Sequence, residues 1–405
     1  MKTIKNYAIQ TLIGSALALF SLQPALAQEK VIRVGVTMRL LNESGIAYGT
    51  MTRDELLAAN AKGGINGAKI EVILLDDECK PDKGVANVNR FIHQNKVHLI
   101  LGSTCSSVTL PIVDVATKEQ VPQVVPQSTN SSITQKGSDW VFRVAISERF
   151  YAAVHAKYVA ENVGKKIAYL YTNDGAGIAF ANQFKSYMKT TYNIDPLFEA
   201  QMQETDLDFR SQLLRIKSMN PDAIALGGQS DAMARQVQQS YEVGIPKRTV
   251  RVAASAAVNI PFPTLAGDAA EGAIFAAAFN CRDERPLARE FVAMVNQKFK
   301  VSCPDHDFSQ AWDSVQIVKQ ALTKANLKLT DASLADDRRA IRDALTSIRY
   351  EGLAAGPIEF CPAPTPQCRD GNRTGILVQY TKGGKDFESK VLSRVGFDKD
   401  FGLPR

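Results

Sequence analysis

Two doubly wound α/β units in one chain are the fold this sequence predicts, and three observations predict it. Apolar runs of strand length alternate with helical patterns from residue 31 onward. The same rhythm restarts after residue 145. No Gly/Ser-rich or Pro-rich stretch separates the two units. Continuous apolar strands alternating with helices signal a parallel sheet covered on both faces. A restart without a linker suits two lobes joined by several short crossings.

The first unit opens with a strand over residues 31–36, and a helix pattern over 50–62 stops at Gly63 and Gly64. Residues 70–75 form the next strand. Pro81, whose fixed φ suits a first helical turn, begins a helix that runs to 94. Strand 97–101, helix 107–119 and short strands 123–125 and 142–144 complete the unit. In the second unit strand 167–171 leads to helix 178–190, and strand 197–201 leads to helix 209–219. Strand 223–226 leads to helix 231–243, and 250–253 is a further strand. A third section is mainly helical, over 286–300, 308–325 and 336–347. The tail over 358–380 is β-rich, with a Pro-rich loop between Cys361 and Cys368.

The chain has 405 residues, 45% hydrophobic and 22% charged, which is ordinary globular composition and long enough for two cores. Residues 1–27 have the layout of a cleaved secretory signal. Lys2 and Lys5 give a positive start, an apolar run covers 13–22, and Ala25, Leu26 and Ala27 close it with small residues. That apolar core of about ten residues is too short to span a bilayer. The net charge of +6 includes both signal lysines, and no basic block with interleaved aromatics occurs, so nucleic acid is excluded as a partner.

Six cysteines, an even count in an exported chain, point to disulfides. Six allow fifteen pairings. Cys79 and Cys105 each lie just beyond a predicted strand, and neighbouring parallel strands would bring those ends within bonding reach. Cys281 with Cys303 and Cys361 with Cys368 are further candidate pairs. No Cys-x-x-Cys occurs, and His93, His98, His155 and His306 are scattered without ligand spacing, so no metal site is expected.

The stretch from Gly102 to Thr109 carries the most chemistry. An apolar strand ends, small hydroxyl residues follow, and a helix begins. Amides at a helix start lack internal partners and sit at the positive end of the dipole. Ser106 and Ser107 are suitable cap residues, so the turn offers an anion several donors. The arrangement recurs over 126–132, where Ser128 and Thr129 follow another short strand. In an open α/β sheet ligands sit at the carboxyl ends of strands. Two such tips on one edge converge on one carboxylate.

Other motifs fall short. Gly175 and Gly177 half-match a dinucleotide fingerprint, but Phe180 holds the third glycine position. Gly383, Gly384 and Lys385 continue with Asp386, so no P-loop forms. No Gly-x-Ser-x-Gly and no nucleophile–base pair stands out, so no enzyme and no cofactor is expected.

Residues 59–67, 76–81, 102–109, 126–130 and 266–272, in that order, resemble the type I periplasmic solute-binding proteins of the leucine/isoleucine/valine-binding group. The resemblance spans nearly the whole chain after residue 27. It implies two Rossmann-like lobes joined by three hinge crossings near Ala145, Ala277 and Pro357. Lobe I is then 28–145 plus 278–357, and lobe II is 146–277 plus 358–405. It implies a monomer in the periplasm that hands a small carboxylate-bearing solute to the membrane permease of an ABC importer. Ser106 and nearby backbone donors hold the carboxylate, and Ser128 and Thr129 supply the other contact. Tyr48 and Thr104 line the side-chain pocket, and Cys79–Cys105 matches the family's disulfide.

The second lobe departs from the family pattern. Ala176 stands where an aromatic is usual, Gln229 where a tyrosine is usual, and Ser255 where an acid answers the ligand ammonium. A buried ammonium without a countercharge is costly. Asp174 or Asp231 is a substitute acid if the spacing shifts. The expected ligand is an amino acid of the branched-chain or aliphatic type. The alternatives are an aromatic or aliphatic carboxylate or amide without the α-ammonium, or service as a sensor module.

Overall fold

The computed structural model describes residues 30–396, so the signal segment expected over 1–27 lies outside the described residues. Among them no helix is long and apolar enough to cross a membrane.

The first sheet holds five strands: β1 Val31–Met38, β2 Lys69–Asp76, β3 Leu99–Gly102, β4 Gln123–Val125 and β5 Val141–Arg143. Their spatial order is β2-β1-β3-β4-β5, and every pairing is parallel. The second sheet continues the chain with β6 Ile167–Thr172, β7 Phe198–Met202, β8 Ala223–Gly227, β9 Val250–Ala253 and β10 Ile274–Ala277. A small hairpin, β11 Arg349–Tyr350 with β12 Ile358–Glu359, precedes β13 Thr374–Lys382 and β14 Glu388–Gly396. The second sheet runs β14-β13-β10-β9-β8-β6-β7, parallel except where β13 and β14 join antiparallel. The strands of both sheets that are buried on two faces are the near-continuous apolar runs seen in the sequence. In β8, for example, all of Ala223–Gly227 is buried.

The protein is therefore a two-lobed α/β molecule, each lobe a sheet flanked by helices. The chain passes between lobes after β5 and again after β10. Phe279, Ala288 and Phe291 already pack with Val34, Leu101 and Phe142 in the first core. The third passage comes later than the expected crossing near Pro357. Ile358 and Phe360 belong to the first core, Arg143 bridges Asp370, and Thr134 Oγ1 donates to Asp370 at 2.9 Å. Residues 358–372 thus stay with the first sheet, and the chain changes lobe between Asn372 and β13. The apolar side chains of Ile358 and Phe360 anchor the segment there, Phe360 lying edge-on to Phe142 with centroids 5.4 Å apart.

Two differences from the sequence expectation have local causes. The helix expected over 50–62 begins earlier, as Glu43–Leu57, because Asn42 caps it, its Oδ1 accepting from Gly45 N at 2.8 Å. Gly45 and Gly49 obscure the pattern there. Glu148–Asn162 is a helix that periodicity missed. Ten of its residues, including Glu148 through Ala156 without a break, are buried, so it shows no polar face.

All three disulfides are present: Cys79–Cys105, Cys281–Cys303 and Cys361–Cys368. The first spans 5.5 Å between Cα atoms and ties the turn after β2 to the turn after β3. Beneath it the fully buried Asp77 accepts from Ser103 Oγ at 2.7 Å and Thr37 Oγ1 at 3.1 Å. These bonds fix the tip that carries Ser106.

Candidate functional site

The carboxyl ends of the parallel strands in both lobes face one another across a cleft of about 560 Å³. This is where ligands sit in open α/β sheets. On the first lobe the wall is built from the tips of β1, β3 and β4. Ser106 heads the helix Ser106–Lys118, whose first amides have no partner inside the helix, and the N-cap Cys105 makes no side-chain cap bond. Asn130 N donates to Ser106 Oγ at 3.2 Å, which joins the β4 tip to the β3 tip. Thr104 Oγ1 donates to Gln127 Oε1 at 3.0 Å, and Gln127 Nε2 donates to the carbonyl of Asp307 at 3.1 Å. Tyr48 lies edge-on to Phe308, with centroids 5.9 Å apart, and its hydroxyl donates to the Arg39 carbonyl at 3.3 Å.

The second lobe presents the tips of β6, β8 and β9, through Ala176, Gln229 and Ser255. Ser230 Oγ donates to Ala256 O at 2.8 Å and so binds the β8 and β9 tips together. The lobes touch beside the cleft. Asn130 Nδ2 donates to Gly175 O at 2.8 Å. A side chain at Gly175 would place its Cβ 3.2 Å from Ser107 N, so glycine permits this approach. Asp305 and Asp307 of the first lobe accept from Ile260 N and the Asn259 side chain of the second. The lobes are thus closed on one another.

Several ionisable groups surround the cleft. Asp305 caps the helix His306–Lys324, accepting from Asp307 N and Phe308 N, and burial pushes its carboxyl up to about 6. Burial, and then the neighbouring Asp305, raise Asp307 well above the usual carboxylate range. Burial drops His306 to about 3, so it is neutral at physiological pH. Arg39, just past β1, lines the cleft, and its Nε is buried without a hydrogen-bond partner. One layer beneath, Glu148 is 1% exposed, and Ser255 Oγ donates to its Oε2 at 3.4 Å. Thr129 also bonds this carboxyl, which burial lifts to about 7.

Of the residues singled out by sequence, Tyr48, Thr104, Ser106, Thr129, Ala176, Gln229 and Ser255 line one cleft. Ser107 and Ser128 do not. Ser128 is buried behind the wall, 2.6 Å from Thr109 Oγ1 and bonded to the carbonyls of Ser103 and Thr104, so it buttresses the tip. Asp174 is committed to capping Gly175–Tyr192, accepting from Ala176 N and Gly177 N at 3.0 and 3.1 Å. Asp231 lines the cleft and pairs with Arg235 at 3.1 Å. Sequence reasoning missed Arg39, Asp305, Asp307 and Glu148. The strand-tip rule would have flagged Arg39, and the capping rule would have flagged Asp305. Among the described residues no cluster of His, Cys, Asp or Glu has metal-holding geometry.

The family described as periplasmic binding protein matches residues 42–385. The chain belongs to that family. Among curated relatives, the Leu/Ile/Val-binding protein of Escherichia coli K12 is 26% identical over 295 residues, 72% of this chain and 79% of the relative. A leucine-, isoleucine-, valine-, threonine- and alanine-binding protein of Pseudomonas aeruginosa is 29% identical over 230 residues, 56% of this chain and 61% of its own. A solute-binding protein of an ABC transporter from Rhodopseudomonas palustris, solved with 3,4-dihydroxybenzoic acid, superposes with a TM-score of 0.77 at 22% identity, covering 91% of this chain and 98% of its own. A branched-chain amino acid binding protein from Streptococcus pneumoniae, solved with isoleucine, gives 0.75 at 24% identity, covering 90% and 99%. At these identities the structures share the fold of this periplasmic binding protein, and its two lobes are the family's architecture.

Proposed function

We propose that this protein captures a small carboxylate-bearing solute of amino-acid size in the periplasm and delivers it to the permease of an ABC importer. The observation that carries this reading is the pair of hydroxyl-bearing tips. Ser106 and Thr129 both line the cleft, and Asn130 N to Ser106 Oγ ties them together. The Ser106 hydroxyl and the amides of its helix start suit a carboxylate, while the Thr129 hydroxyl, bonded to Glu148, leaves its lone pairs for an amine. Ligand docks on the first lobe, and closure adds contacts from Gln229 and Ser255 that the open form lacks, which shifts the population toward the closed state.

Countercharge for an α-amine is supplied from beneath the cleft floor. Ser255 replaces the acid of the family pattern, but its hydroxyl and that of Thr129 both rest on the buried Glu148. Hydroxyls that donate to a carboxylate turn their lone pairs to the cleft, where an ammonium donates to them. A carboxylate without an amine is the second reading, favoured by the neutral Ser255 itself.

Calorimetric titration of leucine, isoleucine and valine, each beside its deaminated carboxylic acid, tests both. At least one carboxylate is expected to bind. Ser106→Ala should weaken it about ten- to hundredfold, the worth of one hydrogen bond to a charged group. Unchanged affinity in that variant would remove Ser106 from the site and sink the proposal.

A further inference from the structure

Resting on the reading of the cleft as a carboxylate site, we infer that Arg39 reads a second acidic group at the far end of the ligand, so that the preferred solute is a dicarboxylate or an acidic amino acid. Arg39 follows β1 directly and lines the cleft beside Tyr48, the residue at the side-chain end of the site. Its Nε is buried without a hydrogen-bond partner, and its guanidinium makes no ion pair within 4.0 Å among the described residues. It is the one cationic side chain of the cleft wall among those residues, since His306 is neutral.

Asp307 and Glu204 feel its charge, and Glu43 shares the cleft wall, but none of the three forms an ion pair with it within 4.0 Å. Asp307 is held toward its protonated form by burial and by Asp305, and it already takes the Asn259 side chain. Asp305 spends its oxygens on its own helix start and on Ile260 N. Asp231 is paired with Arg235. A guanidinium fork left without a partner in a cleft matches a planar carboxylate, which it binds through two parallel bonds. Asn42, Ser44, Asn259 and Thr264 also line the cleft, among Ile260, Pro261 and Leu265, so the wall offers a charged tail further hydrogen-bonding groups.

The test measures affinity for matched pairs that differ only at the far end: glutamate against norvaline, glutarate against valerate, and terephthalate against 4-methylbenzoate. Wild-type protein should bind the diacid of at least one pair about ten- to hundredfold tighter. Arg39→Ala and Arg39→Gln should collapse that ratio to about threefold or less, while Ser106→Ala weakens both partners and keeps the ratio. Arg39→Lys should restore part of it, because it returns the charge without the fork. If every diacid binds no tighter than its partner, or if the Arg39 variants weaken both partners alike, the inference is overturned and the carboxylate site stands. If Ser106→Ala changes nothing for any bound carboxylate, or none of the six binds, the underlying reading falls and takes this one with it.

Discussion

Asp370 is the residue whose removal should most damage the joint between the lobes. Its carboxylate is fully buried and receives Nε of Arg143 at 2.9 Å and Nη2 of Arg149 at 2.9 Å, with Thr134 Oγ1 also donating at 2.9 Å. Arg143 ends β5 in the first lobe, and Arg149 lies in the first turn of Glu148–Asn162, past the first passage. One acid therefore holds cations on both sides of a crossing. Asp370→Ala leaves two buried guanidiniums facing each other with their shared acid gone. Breaking a buried pair this way costs about 3–5 kcal/mol. At about 2–4 °C per kcal/mol for a lobe of this size, the melting temperature should fall by about 6–20 °C. Circular dichroism melting checks this, with Asp370→Asn beside it to separate lost charge from lost packing. A fall of under about 1 kcal/mol would show that water reaches the guanidiniums, and the clamp reasoning would fail. The effect should extend to the ligand, because Arg143 Nη1 also donates to the carbonyls of Thr129 at 3.1 Å and Asn130 at 2.6 Å.

Three further outcomes follow from buried groups. Replacing Cys79 and Cys105 together by serine opens a loop with a sequence separation of 26 and should cost about 3–4 kcal/mol by the loop-entropy estimate, read as a lower urea midpoint. Glu148 favours its protonated form in the fold, with its carboxyl lifted from 4.5 to about 7, so its favourable contribution is complete below pH 4.5 and is lost as pH rises through 7. Glu148→Gln should therefore gain stability over wild type between pH 5 and pH 8, by up to about 3 kcal/mol, and paired melts at the two pH values check the sign. An unchanged difference between the melts would mean that Glu148 is not desolvated. Binding of an amine-bearing ligand should strengthen over the same range as Glu148 ionises, while its deaminated analogue stays level.

The strand tips were legible in the sequence because the signal is local. An apolar strand, a few hydroxyls and a helix start lie within eight residues at 102–109, and they place Ser106 and Thr104 on the cleft without knowledge of the rest. Ser128 was indistinguishable from Thr129 for the same reason. Only the third dimension turns one toward the cleft and the other toward Ser103 O. Asp305 and Asp307 come from a helix start about 180 residues beyond Gln127, to which they are joined by a single bond, and no local pattern announces that meeting. Glu148 was hidden by its helix, which is buried on nearly every side and so shows no amphipathic period. The position of the third passage was hidden too, since a Pro-rich run closed by Cys361–Cys368 looks like a surface tail until Phe360 and Asp370 are seen docked.

That late passage bears on the order of assembly. The core of the first lobe needs Phe308, Leu345 and Phe360, which are synthesised after the whole of β6 to β10. The second sheet in turn lacks two edge strands until residue 396 has been made. A nascent chain therefore carries no finished half until residues 358–396 have been made, and halves cut at either early passage would each expose an unfilled apolar face.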